Sequence, residues 1–406
     1  ITPLRIDPGL VGGGPLDKTY GLSVHPVQDD VSREATDGSS CARRRHPLYR
    51  RQAVAVSLLE GHEHRVVTCG RHAAPGQDVR LVRAEDGSHG FAGLIRCGSV
   101  WVCPVCRSHI SQHRAGEVSE ALANAEAMGL HRTMVTFTAR HTPTDDLAPL
   151  WRSLRSAYSA TFSGRAARRW LESIGYVGRI AANEVTTGPS GWHPHVHVLL
   201  FSERPVSKAD VWILWEAAAA GHGLTVDPGA MDVRSVGSGD VNSGGVAAYM
   251  AKASTASWTL ADEMTASAAK GAVERRTTPF GLLDHVEATG EAESAERFLE
   301  YVSASQGVSS LRWSPGLRDR LAVTADDLSD EDAANEIEAD VQDVLTFTPS
   351  EWTAIHLGGY RVALLEAADR DGIRGAKRVL GEAMASAYAR RRPSLHIPSR
   401  GVPISA

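Results

Sequence analysis

The sequence predicts an α+β protein: an antiparallel sheet with helices packed on one face, preceded by a small cysteine-rich module and followed by a helical C-terminal region. Three observations predict it. Between His131 and Val246 the apolar periodicity switches in the order strand, helix, hairpin, helix, strand, helix. Four of the five cysteines fall between Cys69 and Cys106. Beyond an acid-rich stretch, Thr348 to Arg392 reads as two or three helices. The expected divisions are a mobile arm over 1–60, a Cys-rich module with a helix over 61–130, the sheet domain and its extension over 131–320, an acidic linker over 321–347, and the helical region over 348–406.

The arm is assigned because its Gly, Pro, Asp and Arg residues lack apolar periodicity. The next region holds strand-like pieces such as Val79-Arg80-Leu81-Val82. From Ser108 to Met128, Ala115, Val118, Ala121, Leu122 and Ala125 recur at helical spacing up to a Gly129 stop. His131 to Arg140 alternates β-branched and aromatic residues and predicts a strand. A helix over Leu147 to Ile174 is expected to break near Gly164. Two apolar runs, Val177–Thr186 and Trp192–Phe201, flank Thr187-Gly188-Pro189-Ser190-Gly191, whose turn chemistry predicts a hairpin. Pro194 cannot donate to a ladder, so that end of the second strand lies at an edge or just enters the sheet. A helix over Val206–Gly221, a short strand over Met231–Val236 and a helix from about Val246 complete the domain.

The second hairpin strand carries the most informative segment, His193-Pro194-His195-Val196-His197-Val198-Leu199-Leu200. Side chains in a strand alternate, so the three imidazoles project to one face and the valines to the other. Such a row is not expected by chance in a chain with 17 His, and neutral imidazole is a common ligand of divalent metals. Same-face neighbours lie ~6.6 Å apart, within reach of one ion, whereas His193 and His197 lie ~13 Å apart and would share an ion only on a bent strand. The expected ligands are therefore His195 and His197, with His193 as a third. Glu184 on the partner strand would complete the set. A four-residue loop would place it opposite His195 and a five-residue loop would turn it away. Two imidazoles and a carboxylate also suit Zn²⁺, Co²⁺ or Ni²⁺.

Tyr249-Met250-Ala251-Lys252 places a phenol and an ammonium at i and i+3, on one helix face. A phenol is a poor nucleophile until a cation favours phenolate, and a nearby metal can polarise the phosphate under attack. Alone the pair means little; its value comes from the His row upstream.

With the strand ending Thr136-Phe137-Thr138, the order of these pieces resembles the rolling-circle replication initiators of the HUH endonuclease superfamily, and is closer still to those of actinobacterial plasmids. The residues that carry the resemblance are Cys97-Gly98-Ser99-Val100-Trp101-Val102-Cys103-Pro104-Val105-Cys106, Gly191-Trp192-His193-Pro194-His195-Val196-His197, Thr278-Pro279-Phe280-Gly281-Leu282-Leu283 and Leu311-Arg312-Trp313-Ser314-Pro315-Gly316-Leu317-Arg318, spanning about 65–320. The resemblance implies an HUH-type sheet and metal-dependent nicking of one strand at a plasmid origin. Tyr249 would become joined to the 5′ phosphate, His195 and His197 would hold Mn²⁺ or Mg²⁺, and Lys252 would assist electrostatically. It implies as partners origin DNA, presented as a single strand or a cruciform, together with a host helicase and the replication machinery. Family members often carry a second tyrosine four residues on, where this chain has Ala253. Termination then needs a second subunit, as in a homodimer, a water-activating carboxylate or another route. The competing readings are an HUH transposase or relaxase, a metal hydrolase with a structural Tyr249, and a zinc-dependent DNA-binding regulator without catalysis.

Cys103-Pro104-Val105-Cys106, with Cys97 and Cys69, has the composition of a zinc ribbon or knuckle, and a structural Zn²⁺ on these four is expected. A redox CxxC and inert buried thiols are the alternatives; His109 is a substitute ligand, and Cys41 lies in the arm. In the C-terminal region, Gly372-Ile373-Arg374-Gly375-Ala376 has the rhythm of a helix-turn-helix or of an ordinary helical hairpin. If DNA docks there, Arg374, Lys377 and Arg378 contact phosphates.

The formal charge of −5 hides a segregation. Nine acids and no base lie between Asp326 and Asp343, which leaves +4 on the rest of the chain. Basic clusters sit at Arg43-Arg44-Arg45, Arg50-Arg51, Arg275-Arg276 and Arg390-Arg391-Arg392, and patches rather than totals decide phosphate affinity. Arg275 and Arg276 are further candidate DNA contacts. No apolar run approaches the ~18–20 residues of a membrane span. Ile1 to Asp30 shows no secretory pattern, so no membrane partner and a cytoplasmic location are expected.

Overall fold

The computed structural model describes residues 45–237, 277–336 and 341–391. They form two compact units, each assembled from separate stretches of chain. One contains Gly70–Ile95 and the residues from Ile337 on; the other contains Arg51–Cys69 and Arg96–Glu336. The first helix, α1 (His46–Leu58), crosses the division at Arg50 and Arg51. It occupies part of the expected mobile arm.

The first unit is a three-stranded antiparallel sheet, in the order β2-β1-β8, followed by helices. β1 (Val79–Ala84) and β2 (His89–Ala92) form a hairpin whose turn is held by the Asp86 carboxylate, which accepts from the Ser88 amide at 2.9 Å. β8 (Val341–Phe347) pairs with β1, with Val79 opposite Phe347. It lies in the stretch expected to be an acidic linker. Its sequence alternates weakly, and its partner is more than 250 residues away, so local pattern does not disclose it. Tyr49, Phe91, Phe347 and Trp352 make the aromatic core, with ring centroids 5.0 to 6.2 Å apart. Trp352 comes from α10 (Pro349–Leu357), which opens with a capping box of Thr348 and Glu351. The last element among the described residues is α11 (Arg361–Arg391).

The second unit is built on a five-stranded antiparallel sheet in the order β6-β3-β5-β4-β7. These strands are β3 (His131–Phe137), β4 (Tyr176–Gly188), β5 (Gly191–Ser202), β6 (Asp232–Ser235) and β7 (Leu311–Trp313). Helices cover both faces, which corrects the expectation of one. On one face, Val118, Ala121, Leu122 and Ala125 of α2 (Pro104–Ala127) pack on Met134, Ile180, Ala182, Leu199 and Phe201. Leu317 and Leu321, in and just after α8 (Leu317–Arg320), close the same cluster. On the other, α3 (Leu147–Thr161), α4 (Gly164–Ser173) and α5 (Lys208–Gly221) set Leu154, Ala157, Trp170, Val211 and Trp215 against Val135, Phe137, Val196, Val198 and Leu200. The physical reason is legible in β5: from Val198 to Phe201 both alternating sets are apolar, so neither face can be left to water.

α6 (Pro279–Thr289) and α7 (Ala292–Ala304) follow the second described stretch's start. α9 (Asp330–Asn335), capped by Ser329, lies against α2, and its Ala333 and Ala334 are buried. Much of the acidic segment is thus folded rather than a linker. Asp330 pairs with Arg114 at 3.0 Å and Glu336 with His113 at 2.9 Å. No helix among the described residues is long and apolar enough to cross a membrane.

Candidate functional site

The β4–β5 hairpin closes on a two-residue turn, Pro189-Ser190. Its register places Glu184 opposite His195, Thr186 opposite His193 and Ala182 opposite His197. Directly opposed residues share a face, so Glu184 stands among the imidazoles. β3 pairs with β5 only as far as Phe137 opposite Val196, so Pro194 lies where that side of β5 has no β3 partner. One sheet face therefore changes character along its length. Leu199 and Phe201 lie under α2, while the other end carries His193, His195 and His197.

His197 is buried at 2 % exposure and held from both ends. Its Nε2 lies 2.7 Å from Glu184 Oε2, and its Nδ1 lies 3.1 Å from Thr136 Oγ1 on β3. A hydroxyl both donates and accepts, so Thr136 can serve either imidazole tautomer. The rings of His195 and His197 are stacked, with an interplanar angle of 16° and centroids 5.7 Å apart. His193 packs edge-on against His195 at 4.0 Å. A fourth imidazole, His141, joins the row with its Nε2 2.7 Å from His193 Nδ1, while its Nδ1 donates to the Ser190 carbonyl at 2.9 Å. In the neutral ring that donation leaves Nε2 as acceptor, so His193 donates from Nδ1 and its lone pair resides on Nε2. Nothing in the sequence pattern singled out His141, which follows the strand in an irregular segment.

Imidazoles with one carboxylate are donors common to several divalent cations and single out none of them. Cis donors at ~2.1 Å in an octahedral shell stand ~3 Å apart, near the 2.7 Å between His197 Nε2 and Glu184 Oε2. The ligand atoms of the His row and Glu184 do not converge on one point. Among the described residues, only the four-cysteine group brings three or more His, Cys, Asp or Glu ligand atoms all within 4.8 Å of one another.

That group is Cys69, Cys97, Cys103 and Cys106, all buried. The Sγ–Sγ separations are 3.7 Å for Cys69–Cys103 and 3.5 Å for Cys69–Cys106 and Cys97–Cys106. A tetrahedral ion with Zn–S bonds of ~2.3 Å has edges of ~3.8 Å, so the four sulfurs fit a single metal centre. Cys103 caps α2, Pro104 starts it, and Cys106 lies one turn in, which is how CxxC turns two thiols toward one point. Hydrogen bonds from Cys103, Cys106 and Cys97 hold the Cys69 thiol well below its usual range, whereas burial pushes the Cys103 thiol far up. Four thiolates cannot crowd together without a cation. A divalent ion would relieve that conflict, and the set can hold one such as zinc.

A buried aromatic path connects the two residue sets. Trp101, in the loop between Cys97 and Cys103, packs edge-on against Trp151 at 5.2 Å and Tyr301 at 6.2 Å. Tyr301 stacks on Trp192, the residue before His193, at 6.5 Å. Glu300 accepts from Trp192 Nε1 at 2.7 Å and from the Leu147 amide at 2.7 Å. Arg107, one residue after Cys106, is fully buried with its guanidinium 5.6 Å from the Trp101 ring; burial pulls its pKa down to about 10. Neither the aromatic path nor Arg107 has a local sequence signature, because both depend on long-range packing.

Tyr249, Lys252, Arg275 and Arg276 lie outside the described residues, as does Cys41. The described chain stops at Gly237, where Val236 donates to the Arg132 carbonyl, and resumes at Thr277, which exchanges two backbone hydrogen bonds with Thr187 of β4. Arg374, Lys377 and Arg378 are exposed on α11, in the other unit. His109 is half-buried on α2 and does not belong to the cysteine group.

Two known proteins are similar in sequence. "Protein rep" of Streptomyces lividans is 28% identical over 323 residues, covering 64% of this chain and 70% of that protein. "Neomycin resistance protein" of Streptomyces cyanogenus is 34% identical over 151 residues, covering 31% of this chain; the chain spans about a third of it, 35%. No protein-family model and no solved structure matches the chain.

Proposed function

We propose that the chain is a plasmid rolling-circle replication initiator that nicks one strand of an origin and holds the 5′ end on Tyr249. The observation that carries this reading is the pairing of His197 Nε2 with Glu184 Oε2 at 2.7 Å, beside His195, on one sheet face. The name of the Streptomyces lividans relative and the HUH-like order of motifs support it. The resistance name of the second relative rests on a third of each chain and is not carried over.

In this reading the Tyr249 oxygen attacks the scissile phosphorus. The P–O bond to the 3′ oxygen breaks, and that oxygen leaves as a hydroxyl once protonated. A phosphodiester replaces a phosphodiester, so the reverse reaction needs no external energy. Mn²⁺ or Mg²⁺ held by His195, His197 and Glu184, with His193 alongside, would polarise the phosphate. The chain's own contribution is orientation: Thr136 fixes the His197 ring, and His141 fixes His193. Lys252, three residues beyond Tyr249 in sequence, would favour phenolate. Tyr249 is 12 residues beyond Gly237, and a chain spans up to ~3.5 Å per residue, so the tether from β6 does not forbid the phenol's approach to the His face. Arg275 and Arg276 would contact the strand, and Zn²⁺ on the four cysteines would be architectural. In this reading the partners are origin DNA, a host helicase and the replication machinery, and a second copy of the chain is one route to termination beside a water-activating carboxylate.

The test is a denaturing gel of the protein incubated with Mn²⁺ and single-stranded oligonucleotides from its own replicon. The reading predicts a slow-migrating protein–DNA adduct that disappears in Tyr249→Phe, and loss of nicking in His195→Ala. Cleavage persisting in Tyr249→Phe without an adduct would mark a hydrolase, and binding without cleavage a regulator.

A further inference from the structure

α11 is interrupted at Gly372, whose φ of 60° and ψ of −145° split it into two helices joined by a tight corner. The φ lies in the region where a side chain is strained. Three residues on, a Cβ at Gly375 would stand 2.2 Å from the Ala367 carbonyl oxygen, so the corner requires the bare backbone there as well. The helix after the corner, residues 373–391, carries five bases and one acid. Its Ala376, Val379 and Ala383 are buried. Its opposite side exposes Arg374, Lys377, Arg378, Gly381, Ala385 and Tyr388. At 3.6 residues per turn these six span an arc of about 100°. Gly381 and Ala385 lie in its middle, and the bases gather toward one end. The single acid, Glu382, sits at the margin and pairs with Arg378 at 2.7 Å.

We infer that this face of α11 docks in the major groove of duplex DNA, as a second DNA site that is independent of the His face. A helix with side chains is ~10–12 Å across, matching the ~12 Å width of the B-form major groove. Arg374, Lys377 and Arg378 supply the positive charge that phosphates and guanine edges require. Gly381 and Ala385 lower the profile in mid-face, so the backbone can approach the bases. Ile373 and Met384, the apolar residues exposed on the same helix, flank the arc beside Lys377, and two such side chains are too few for the apolar face that insertion into a lipid surface needs. A-form RNA offers no comparable groove, because its major groove is deep and narrow.

The test uses the full chain and fluorescence anisotropy with a mixed-sequence duplex of about 30 bp, the same single strand, and the same duplex as RNA, between ~50 and ~200 mM salt. The triple variant Arg374→Ala/Lys377→Ala/Arg378→Ala should weaken duplex DNA binding at least about tenfold and flatten the log–log salt slope by about 2–3. Single-strand affinity should change less than about twofold. Ala385→Glu, which keeps every base and touches only the exposed face, should weaken duplex binding as well. Unchanged duplex affinity in either variant overturns the proposal. So does equal loss on duplex and single strand, tighter binding to the RNA duplex, or binding to anionic phosphatidylglycerol vesicles in place of DNA. The readout is equilibrium binding, so it is decided separately from the adduct on Tyr249.

Discussion

Thr136 illustrates how much a single hydroxyl can determine. His197 contacts both Glu184 and Thr136, and the Thr136 hydroxyl can accept from Nδ1 or donate to it, so it can follow whichever ring nitrogen carries the proton. If a divalent ion binds through Nε2, the proton must reside on Nδ1 and be accepted by Thr136 Oγ1. Thr136→Val keeps the β-branched shape and the strand preference but removes the acceptor. Manganese affinity measured by calorimetry should fall about 10- to 100-fold, the usual effect of losing such a partner, with little change in thermal stability. Thr136→Ser should restore most of the affinity. Equal affinity in Thr136→Val would show that Thr136 only packs.

At the scale of elements, α2 links the two sites. Its first turn carries Cys103 and Cys106, and its later turns pack under the sheet that bears the His row. Trp101, anchored between Cys97 and Cys103 and hydrogen-bonded to the Val308 carbonyl at 2.6 Å, passes that order on to Tyr301 and Trp192. The protein should contain one zinc per chain, and its removal by chelation should lower Tm by ~10 °C or more while changing tryptophan emission. Zinc-free protein with unaltered Tm would sink the structural assignment. The β4–β5 hairpin and its His face were legible because period two is a local property. Glu184 was legible only as a candidate, since its side depended on an even number of loop residues, which the two-residue turn supplies as a four-residue loop would. The second covered face was also written in Val198 to Phe201, where no position is polar, yet alternation at His193 to His197 drew attention to one side only. β8 and α1 were not legible. β8 owes its structure to β1 and α1 to its aromatic neighbours, and a window of ten residues contains neither partner.

For the whole molecule, charge and proton binding set the conditions under which it works. The net −5 is not a simple excess over a free basic remainder of +4, because acids in 326–343 are engaged with Arg114, Arg318 and Arg80. Stability should respond to acid in two windows. Burial and the neighbouring Arg65 charge hold the His64 imidazole below its ordinary pKa, and its Nδ1 accepts the Val66 amide at 3.1 Å. Folded His64 is thus neutral where the unfolded one, near 6.5, already takes a proton, so stability is lost as pH falls below about 6.5. Lower down, the Thr324 and Ala325 amides and the Thr324 hydroxyl hold the Glu120 carboxyl below its usual range, and Gly229 and Arg140 do the same for Asp227. Those carboxylates stabilise above their unfolded pKa values of about 4, and that contribution disappears as pH falls through the folded values. Tm followed at constant ionic strength should therefore decline first between about pH 7 and 5.5 and again below about 4.5. His64→Asn supplies an amide oxygen that can accept from Val66 without titrating, so it should shrink the first decline and leave the second. An unchanged first decline in that variant would show that the proton responsible binds elsewhere.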